Sequence, residues 1–267
     1  MFITKSKSFK AGLASALFAV AALGTVATGA SAAVVTVLPG DPSWFSTGEN
    51  SGGGSSTITS TMPYMGNGSV EMTGDRTRFI GLGSQYNRAS NLGLLDTVRA
   101  LTYSWAIARG SVAQLNPDYT PALRLHIFDG AQRSELIWEG AYNGTYGDTQ
   151  QGTFYDSGVD DNFYRFVTGA GVTLSNGSQV NQSITTWAAS DYYTDAAYVS
   201  AISIGVGSGA GAGYRAFADN VTLAISGNST TYNFETAAAA AVPEPGMLAL
   251  LGLGALGLGL SRRKSAK

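Results

Sequence analysis

Residues 122–128 have the sequence Ala-Leu-Arg-Leu-His-Ile-Phe, and this stretch decides the fold class of the chain. Apolar side chains alternate with Arg124 and His126, and successive side chains of a β-strand point to opposite faces of its sheet. One apolar and one polar face are typical of a strand in an antiparallel sheet that covers a core on one side. The stretch therefore predicts a strand of an all-β protein.

The same period of two recurs through the chain. At 99–107, Leu101, Tyr103 and Trp105 fall on one face, with polar residues between them. Further strands are predicted at 69–73, 135–139, 163–167, 198–206, 217–225 and 231–235, and turns at Asp129-Gly130, Asn143-Gly144 and Asn176-Gly177. This pattern predicts one domain, 33–235, folded as an antiparallel two-layer β-sandwich of the jelly-roll type, with a barrel as the alternative.

Few segments between the strands have a clear pattern of their own. Residues 91–96 predict a short turn into the strand at 99–107, and 182–189 predict one or two helical turns. The Gly-, Ser- and Thr-rich residues 46–60 predict a mobile loop, and the glycines of 208–213 predict a hairpin connection. Residues 236–241 are predicted to be a flexible spacer.

The first 32 residues have the organisation of a secretory signal peptide. Three lysines among the first ten residues precede an apolar stretch at 11–27, and Ala30 and Ala32 are the small residues that signal peptidase requires. We therefore expect export, with cleavage by signal peptidase after Ala32. The chain has no cysteine, which excludes disulfides and cysteine-based metal sites.

The C-terminal segment 242–267 combines a proline-flanked acid, an apolar run and a basic end. In order, these parts are Val242, Pro243, Glu244 and Pro245, the uncharged residues 247–260, and Arg262, Arg263 and Lys264. As a helix the run would span about 21 Å, less than the roughly 30 Å hydrocarbon core of a bilayer. Basic residues beside an apolar segment stay on the cytoplasmic side. We therefore expect a hydrophobic helix in the inner membrane, and a buried helix of the globular domain is the alternative.

These three parts, in this order, resemble the PEP-CTERM sorting domain of Gram-negative bacteria, with Pro243-Glu244-Pro245 at the signature position. The resemblance implies recognition by an exosortase, a membrane-embedded cysteine transpeptidase that releases or transfers its substrate. It also implies transient inner-membrane anchoring, followed by location in the cell envelope, at the outer surface or in the extracellular matrix. Because it covers about a tenth of the chain, it leaves the activity of the main domain open.

The charge of the domain differs from that of the whole chain because every lysine lies in a terminal segment. Residues 33–243 carry nine arginines against seventeen carboxylates, a formal charge of −8. Such an acidic domain is poorly suited to bind nucleic acid or an anionic membrane. It suits solubility in an extracellular matrix, and its carboxylates are potential ligands for divalent cations.

Catalytic patterns are weak. The one histidine, His126, is predicted to be a residue of the polar sheet face rather than a catalytic base, because the sequence identifies no serine or aspartate beside it. A carboxylate pair for glycoside hydrolysis would have to come from Glu135, Glu139, Asp148, Asp156, Asp160 and Asp161. Four residues of strand separate Glu135 from Glu139 by about 13 Å, which is too far for such a pair. We therefore predict no enzymatic activity.

Asp219 is the most unusual carboxylate of the domain. Alternation within 217–225 places it on the same face as Phe217 and Val221. A carboxylate that faces a core needs compensation, from the N–H groups of a turn, from an arginine or from a cation. Residues 218–223 resemble the closing strand of jelly-roll carbohydrate-binding modules. This resemblance implies a structural calcium ion at Asp219. Asp41, near the start of the domain, is a possible co-ligand because the first and last strands of a sandwich often neighbour each other.

Aromatic residues offer a second kind of binding, because exposed rings stack on the faces of sugars. Rings in or beside turn-rich segments are Tyr142, Tyr146, Phe154, Tyr155, Tyr192 and Tyr193. The leading hypothesis is a structural or adhesive protein of the cell surface or exopolysaccharide matrix. A module that binds extracellular polysaccharide is the alternative. The third hypothesis, a polysaccharide-active enzyme, is supported only by the carboxylates.

Overall fold

The computed structural model describes residues 32–47, 53–114, 118–145, 147–167 and 181–237, together with the backbone of 171–172. Within these ranges most of the regular secondary structure is β-strand. The strands are β1 Ala33–Val37, β2 Trp44–Ser46, β3 Ser55–Thr59, β4 Ser69–Thr73, β5 Thr77–Gly81, β6 Gly93–Leu94, β7 Ala100–Ile107, β8 Ala122–Asp129, β9 Gln132–Trp138, β10 Phe154–Asp156, β11 Tyr164–Val167, β12 Gly171–Val172, β13 Tyr198–Val206, β14 Arg215–Ile225 and β15 Asn228–Phe234. Helical structure consists of two 3-10 turns, Leu95–Thr97 and Gly140–Tyr142, and the short helix α1, Ile184–Ala188.

The strands form two sheets. The first has seven strands and centres on β14, which pairs with β7 on one side and with β4 and β15 on the other. The second has eight strands in the order β12-β11-β9-β8-β13-β5-β2, with β6 beside one end of β13. One core cluster takes side chains from both sheets, among them Trp44, Trp105 and Trp138. The predicted two-layer β-sandwich is therefore confirmed.

One pair of strands departs from the antiparallel rule. β1 runs parallel to β15, with Ala33 opposite Thr230 and Val37 opposite Phe234. The other pairs of named strands in the described residues are antiparallel, so the first sheet is mixed. A period of two shows which face of a strand is apolar but not the direction of its neighbour, which is why the sequence did not predict this pairing.

All eight predicted strand windows contain a strand, and the helical turns predicted at 182–189 are confirmed by α1. The predicted mobile loop at 46–60 is wrong where β3 lies. In β3, Ser56 and Ile58 are buried while Ser55 and Thr57 are exposed, so the strand has the expected alternation. Its Ser- and Thr-rich composition hides that alternation because a buried serine looks like a loop residue in the sequence.

The glycine segment 208–213 is also corrected. It connects β13 of the second sheet to β14 of the first, so it is an arch between sheets and not a hairpin. The Asp75 carboxylate stabilises the crossing by accepting hydrogen bonds from the N–H groups of Gly209, at 2.7 Å, and Ala210, at 3.0 Å. Apolar and polar residues alternate in the same way in two strands of facing sheets as in the two strands of a hairpin. The sequence therefore does not show whether a glycine-rich connection is an arch or a hairpin.

A β-bulge in β14 changes the predicted face of Asp219. Asn220 has a φ of 48°, and the register against β7 shifts directly after Asp219. As a result Ala218 and Val221 both reach the main core, whereas Phe217 belongs to a separate small cluster on the other face. Asp219, two positions after Phe217, shares that outer face. The predicted core face is wrong because strict alternation does not anticipate an inserted residue.

Candidate functional site

The outer face of the second sheet carries the largest concentration of charged side chains in the described residues. In the hairpin of β8 and β9, His126 lies opposite Glu135, and across β8 and β13, Arg124 lies opposite Ser203. The apolar residues between them face the main core, so these polar side chains point away from it, as the alternation at 122–128 predicts. We call the following set the charged cluster: Arg78, Arg124, His126, Arg133, Glu135 and Ser203.

Glu135 is the centre of the charged cluster. Its Oε1 accepts hydrogen bonds from Arg133 Nη2 at 2.5 Å and from Arg78 Nη1 at 3.0 Å, and its Oε2 lies 3.7 Å from Arg124 Nε. Burial alone would raise the pKa of this carboxyl, but His126 and the surrounding guanidinium groups hold the pKa well below its ordinary value. Glu135 is therefore ionised at neutral pH.

The segment between β5 and β6 covers the charged cluster. The backbone carbonyl of Gln85 accepts a hydrogen bond from Arg133 Nε at 2.7 Å, and its side-chain oxygen accepts one from Arg78 Nη1 at 2.9 Å. The guanidinium of Arg133 lies 4.7 Å from the centre of the Tyr86 ring. Beneath this cover the exposed fraction of Arg124 is 3 % and that of Ser203 is zero.

Ser203, His126 and Glu135 form a line that the sequence did not predict. Ser203 Oγ and His126 Nε2 share a hydrogen bond of 2.8 Å, and His126 Nδ1 lies 3.5 Å from Glu135 Oε1. A nucleophile, a base and an orienting carboxylate have this order in hydrolases. Here, however, burial lowers the pKa of His126 to about 4, and neither Ser203 nor His126 is open to solvent. A substrate has no path to the serine in this conformation.

The two glutamates of this sheet have opposite electrostatic environments. Glu139, next to the end of β9, accepts a hydrogen bond of 2.9 Å from the Tyr164 hydroxyl, and burial raises the pKa of its carboxyl. Glycosidases separate the pKa values of their two carboxyls in this way. Ile137 lies between the two residues along the strand, and their separation of about 13 Å exceeds that of either glycosidase geometry.

The remaining candidate carboxylates lie apart from one another. Asp156 accepts a hydrogen bond of 2.6 Å from a serine hydroxyl of β7, and Asp161 accepts one of 2.7 Å from the indole N–H of Trp138. Asp148 and Asp160 are exposed. The structure therefore does not assemble a second carboxylate centre from these residues.

Asp219 is compensated by the backbone. Its Oδ1 accepts hydrogen bonds from the N–H groups of Asn220, at 2.8 Å, and Phe234, at 2.9 Å, and its Oδ2 lies 3.5 Å from the N–H of Met65. Burial raises the pKa of this carboxyl to about 6 against these hydrogen bonds, and the nearby Glu235 raises it further. Backbone N–H groups thus compensate the carboxylate, as the first of the three expected kinds would, but the donors Asn220 and Phe234 lie in strands β14 and β15 and not in a turn.

The geometry at Asp219 does not fit the predicted calcium ion. Three N–H groups point at the carboxylate, where a cation would need further oxygen ligands. The carboxylate of Asp41 is used locally, because it accepts hydrogen bonds from the N–H and the hydroxyl of Ser43 at 2.8 and 2.6 Å. Among the described residues, no three carboxylate or histidine side chains lie close enough together to hold a metal ion.

The predicted sugar-stacking rings are used in packing and are not gathered on one surface. The ring contacts are Tyr155 on Trp105 at 5.1 Å, Phe154 on Tyr64 at 4.6 Å, Tyr142 on Tyr164 at 5.2 Å and Tyr192 on Trp187 at 5.6 Å. Tyr193 is buried, and its hydroxyl shares a hydrogen bond of 3.0 Å with Ser134. Tyr146 lies outside the described residues. These rings give no specific support to polysaccharide binding.

Several predicted features lie outside the described residues. These are Ala30 and the signal peptide, Asn176-Gly177, most of the spacer at 236–241, and the whole C-terminal segment. Ala32 is the first described residue and directly precedes β1. In the ranges that the structure covers, helices are too short or too polar to cross a bilayer.

Comparison with known proteins identifies the C-terminal segment. Residues 241–264 match a family described as the PEP-CTERM protein-sorting motif. The match spans the Val-Pro-Glu-Pro sequence at 242–245 and the basic residues Arg262, Arg263 and Lys264. No curated protein and no solved structure matches the chain. The resemblance of the C-terminal segment is thus confirmed.

Proposed function

We propose that this chain, an exported PEP-CTERM protein that an exosortase directs to the cell envelope or surface, acts there as a structural or adhesive protein without enzymatic activity. The observation that carries the proposal is the sorting motif at 241–264, directly after a folded β-sandwich. The motif supports export and processing, and the role at the destination is our inference from the domain that is delivered.

The composition of the domain and its covered charged cluster support a structural role. The domain has no cysteine, and lysine is absent from residues 33–243. Its charged cluster is covered by the chain itself, and the serine and histidine in it have no exposed surface. These features support a structural role better than a catalytic one, because an enzyme needs its reacting groups within reach of a substrate.

The fold also ends close to the sorting motif. The side chain of Asn67 fixes the last described residues: its Oδ1 accepts a hydrogen bond of 2.8 Å from the Thr236 N–H, and its Nδ2 donates one of 3.1 Å to the Ala237 carbonyl. Pro243 is six positions after Ala237, and a fully extended chain covers at most about 20 Å over six steps. The sandwich therefore stays within that distance of the motif until processing.

Sorting is tested by Glu244→Ala in the native host. We expect the precursor to accumulate in the cell, and the surface or secreted form to disappear from immunoblots of the fractions. Asp160→Ala is the matched control, because it removes an exposed carboxylate from the sandwich and leaves the motif intact. Unchanged processing and location of the Glu244→Ala protein would overturn the proposal.

A further inference from the structure

Arg124 is the one member of the charged cluster whose charge is poorly compensated. Its exposed fraction is 3 %, and its Nε and Nη1 form no hydrogen bond with any described residue. A buried guanidinium with unpaired N–H groups is strongly unfavourable, because it loses hydration without gaining a partner. Such an arrangement calls for a partner that the described residues do not supply, such as an ordered water or an ion.

Neither nearby carboxylate supplies that partner. Glu135 Oε2 lies 3.7 Å from Arg124 Nε, beyond hydrogen-bond distance, and Glu135 Oε1 is used by Arg78 and Arg133. Glu139 accepts a hydrogen bond of 2.9 Å from the Tyr164 hydroxyl, and among the described residues no hydrogen bond or ion pair joins it to Arg124.

The cluster as a whole has an excess of positive charge. Three guanidinium groups surround one ionised glutamate, and His126 is neutral because burial lowers its pKa to about 4. Burial, followed by the charge of Arg78, lowers the pKa of Arg124. The described residues at this place therefore carry more positive than negative charge.

A second arginine with an unpaired nitrogen shows why Arg124 is different. Arg165 Nε is also buried without a hydrogen-bond partner. The guanidinium of Arg165, however, lies 5.4 Å from the centre of the Tyr192 ring and 4.9 Å from that of Tyr193, and such contacts with aromatic faces offset its charge. In the described residues Arg124 has no ring contact of this kind.

We propose that a small inorganic anion, of the size of chloride or phosphate, binds in the charged cluster at the guanidinium group of Arg124. The N–H groups of Arg124 match the geometry and charge of such an ion. The cover formed by Gln85 and Tyr86 then encloses the ion, which thereby becomes part of the outer layer of the second sheet. This site is independent of sorting and needs no exosortase.

The test uses the full-length chain, purified in a non-ionic detergent, and follows unfolding by tryptophan fluorescence. Chloride or phosphate is titrated against gluconate, a bulky anion, at constant ionic strength, so that screening does not change. We expect a saturable rise in Tm with at least one of the two ions, of roughly 5–10 °C at a hundredfold excess over Kd. The comparison of chloride with phosphate identifies the preferred ion.

Two variants locate the effect. Arg124→Leu removes the proposed ligand, and we expect its Tm to be the same in all three anions. Arg99→Leu removes an exposed arginine and should keep the wild-type response. The proposal is overturned if the wild type shows no saturable rise with either ion, or if Arg124→Leu responds as the wild type does.

A direct measurement covers the case in which Arg124→Leu does not fold. Wild-type crystals grown in bromide should show an anomalous scattering peak beside the Arg124 guanidinium if the site prefers a halide, and crystals grown in phosphate should show density there if it prefers an oxyanion. The absence of both would contradict the proposal.

Discussion

The charged cluster and Asp219 are both buried on outer faces of the sandwich, but the chain compensates them in different ways. Around Glu135 the compensation comes from side-chain charges on β5, β8 and β9. Around Asp219 it comes from N–H groups of the backbone. Side-chain compensation leaves N–H groups of Arg124 without a hydrogen-bond partner, whereas the backbone supplies hydrogen bonds to Asp219 without adding charge. The comparison shows that a buried cluster of charges is where a small ligand should be sought.

The two regions also respond to pH in opposite directions. The pKa of Asp219 is raised from 3.8 to about 6, so stability from this group is present below pH 3.8 and lost as pH rises through 6. The pKa of His126 is lowered from 6.5 to about 4, so stability from this group is present above pH 6.5 and lost as pH falls through 4. Between about pH 4 and pH 6, the stability contributed by Asp219 falls as the pH rises, while the stability contributed by His126 increases.

The largest effect is expected for Glu135→Gln, which removes the central carboxylate and leaves three guanidinium groups without it. We expect the free energy of unfolding in urea to fall by about 3–5 kcal/mol. The matched control is Glu71→Gln, because the partner of Glu71, Arg215, is partly exposed and the pair is worth about 1 kcal/mol at most. Equal losses in the two variants would show that the charged cluster is no more important than a surface ion pair.

An intermediate effect is expected for Asp219→Asn, which keeps a side-chain oxygen for the Phe234 and Asn220 N–H groups but removes the charge. Since burial raises the pKa of Asp219 from 3.8 to about 6, and a tenfold change in an equilibrium constant is worth about 1.4 kcal/mol, the variant should be more stable than the wild type by up to about 3 kcal/mol at pH 8. This gain should vanish near pH 4. The measurement is urea unfolding between pH 4 and pH 8. Asp148→Asn, which changes an exposed aspartate, is the control and should show no gain in stability that depends on pH. A gain that does not depend on pH would contradict the raised pKa.

The smallest effect is expected for calcium. Because N–H groups already saturate the Asp219 carboxylate, Tm in millimolar calcium and in chelator should differ by less than about 1 °C. A rise of several degrees that disappears in Asp219→Asn would restore the calcium site implied by the sequence. Such a result would also show that the backbone N–H groups do not compensate Asp219 fully, and that Asp219, like the charged cluster, needs a bound ion.

The strand pattern of the sandwich could be predicted from the sequence because burial on one face imposes a period of two. One further step would have found the centre of the charged cluster. Asp129-Gly130 marks a tight hairpin, and a two-residue loop at 130–131 places His126 opposite Glu135. By contrast, Ser203 and Arg78 come from β13 and β5, and only the order of strands in the sheet brings them to His126 and Glu135.

The environment of Asp219 was harder to predict. Its face depends on the bulge at Asn220, and its hydrogen-bond donors come from β15 and from Met65, which is distant in sequence. Backbone donors are the same for every residue type, so the sequence contains no signal that identifies them. A carboxylate in an apolar strand therefore indicates that compensation exists, but not its source.

The parallel pairing of β1 with β15 has a mechanical consequence. The chain enters the sandwich at Ala33 and leaves it at Phe234, at opposite ends of two adjacent strands that run in the same direction. If the envelope holds the C-terminal side while flow or a neighbouring cell pulls on β1, the first strand of the domain, the force acts along both strands in opposite senses. Such shear strains all the hydrogen bonds between them together rather than opening them one by one. A protein attached to a surface in this way resists unfolding under tension.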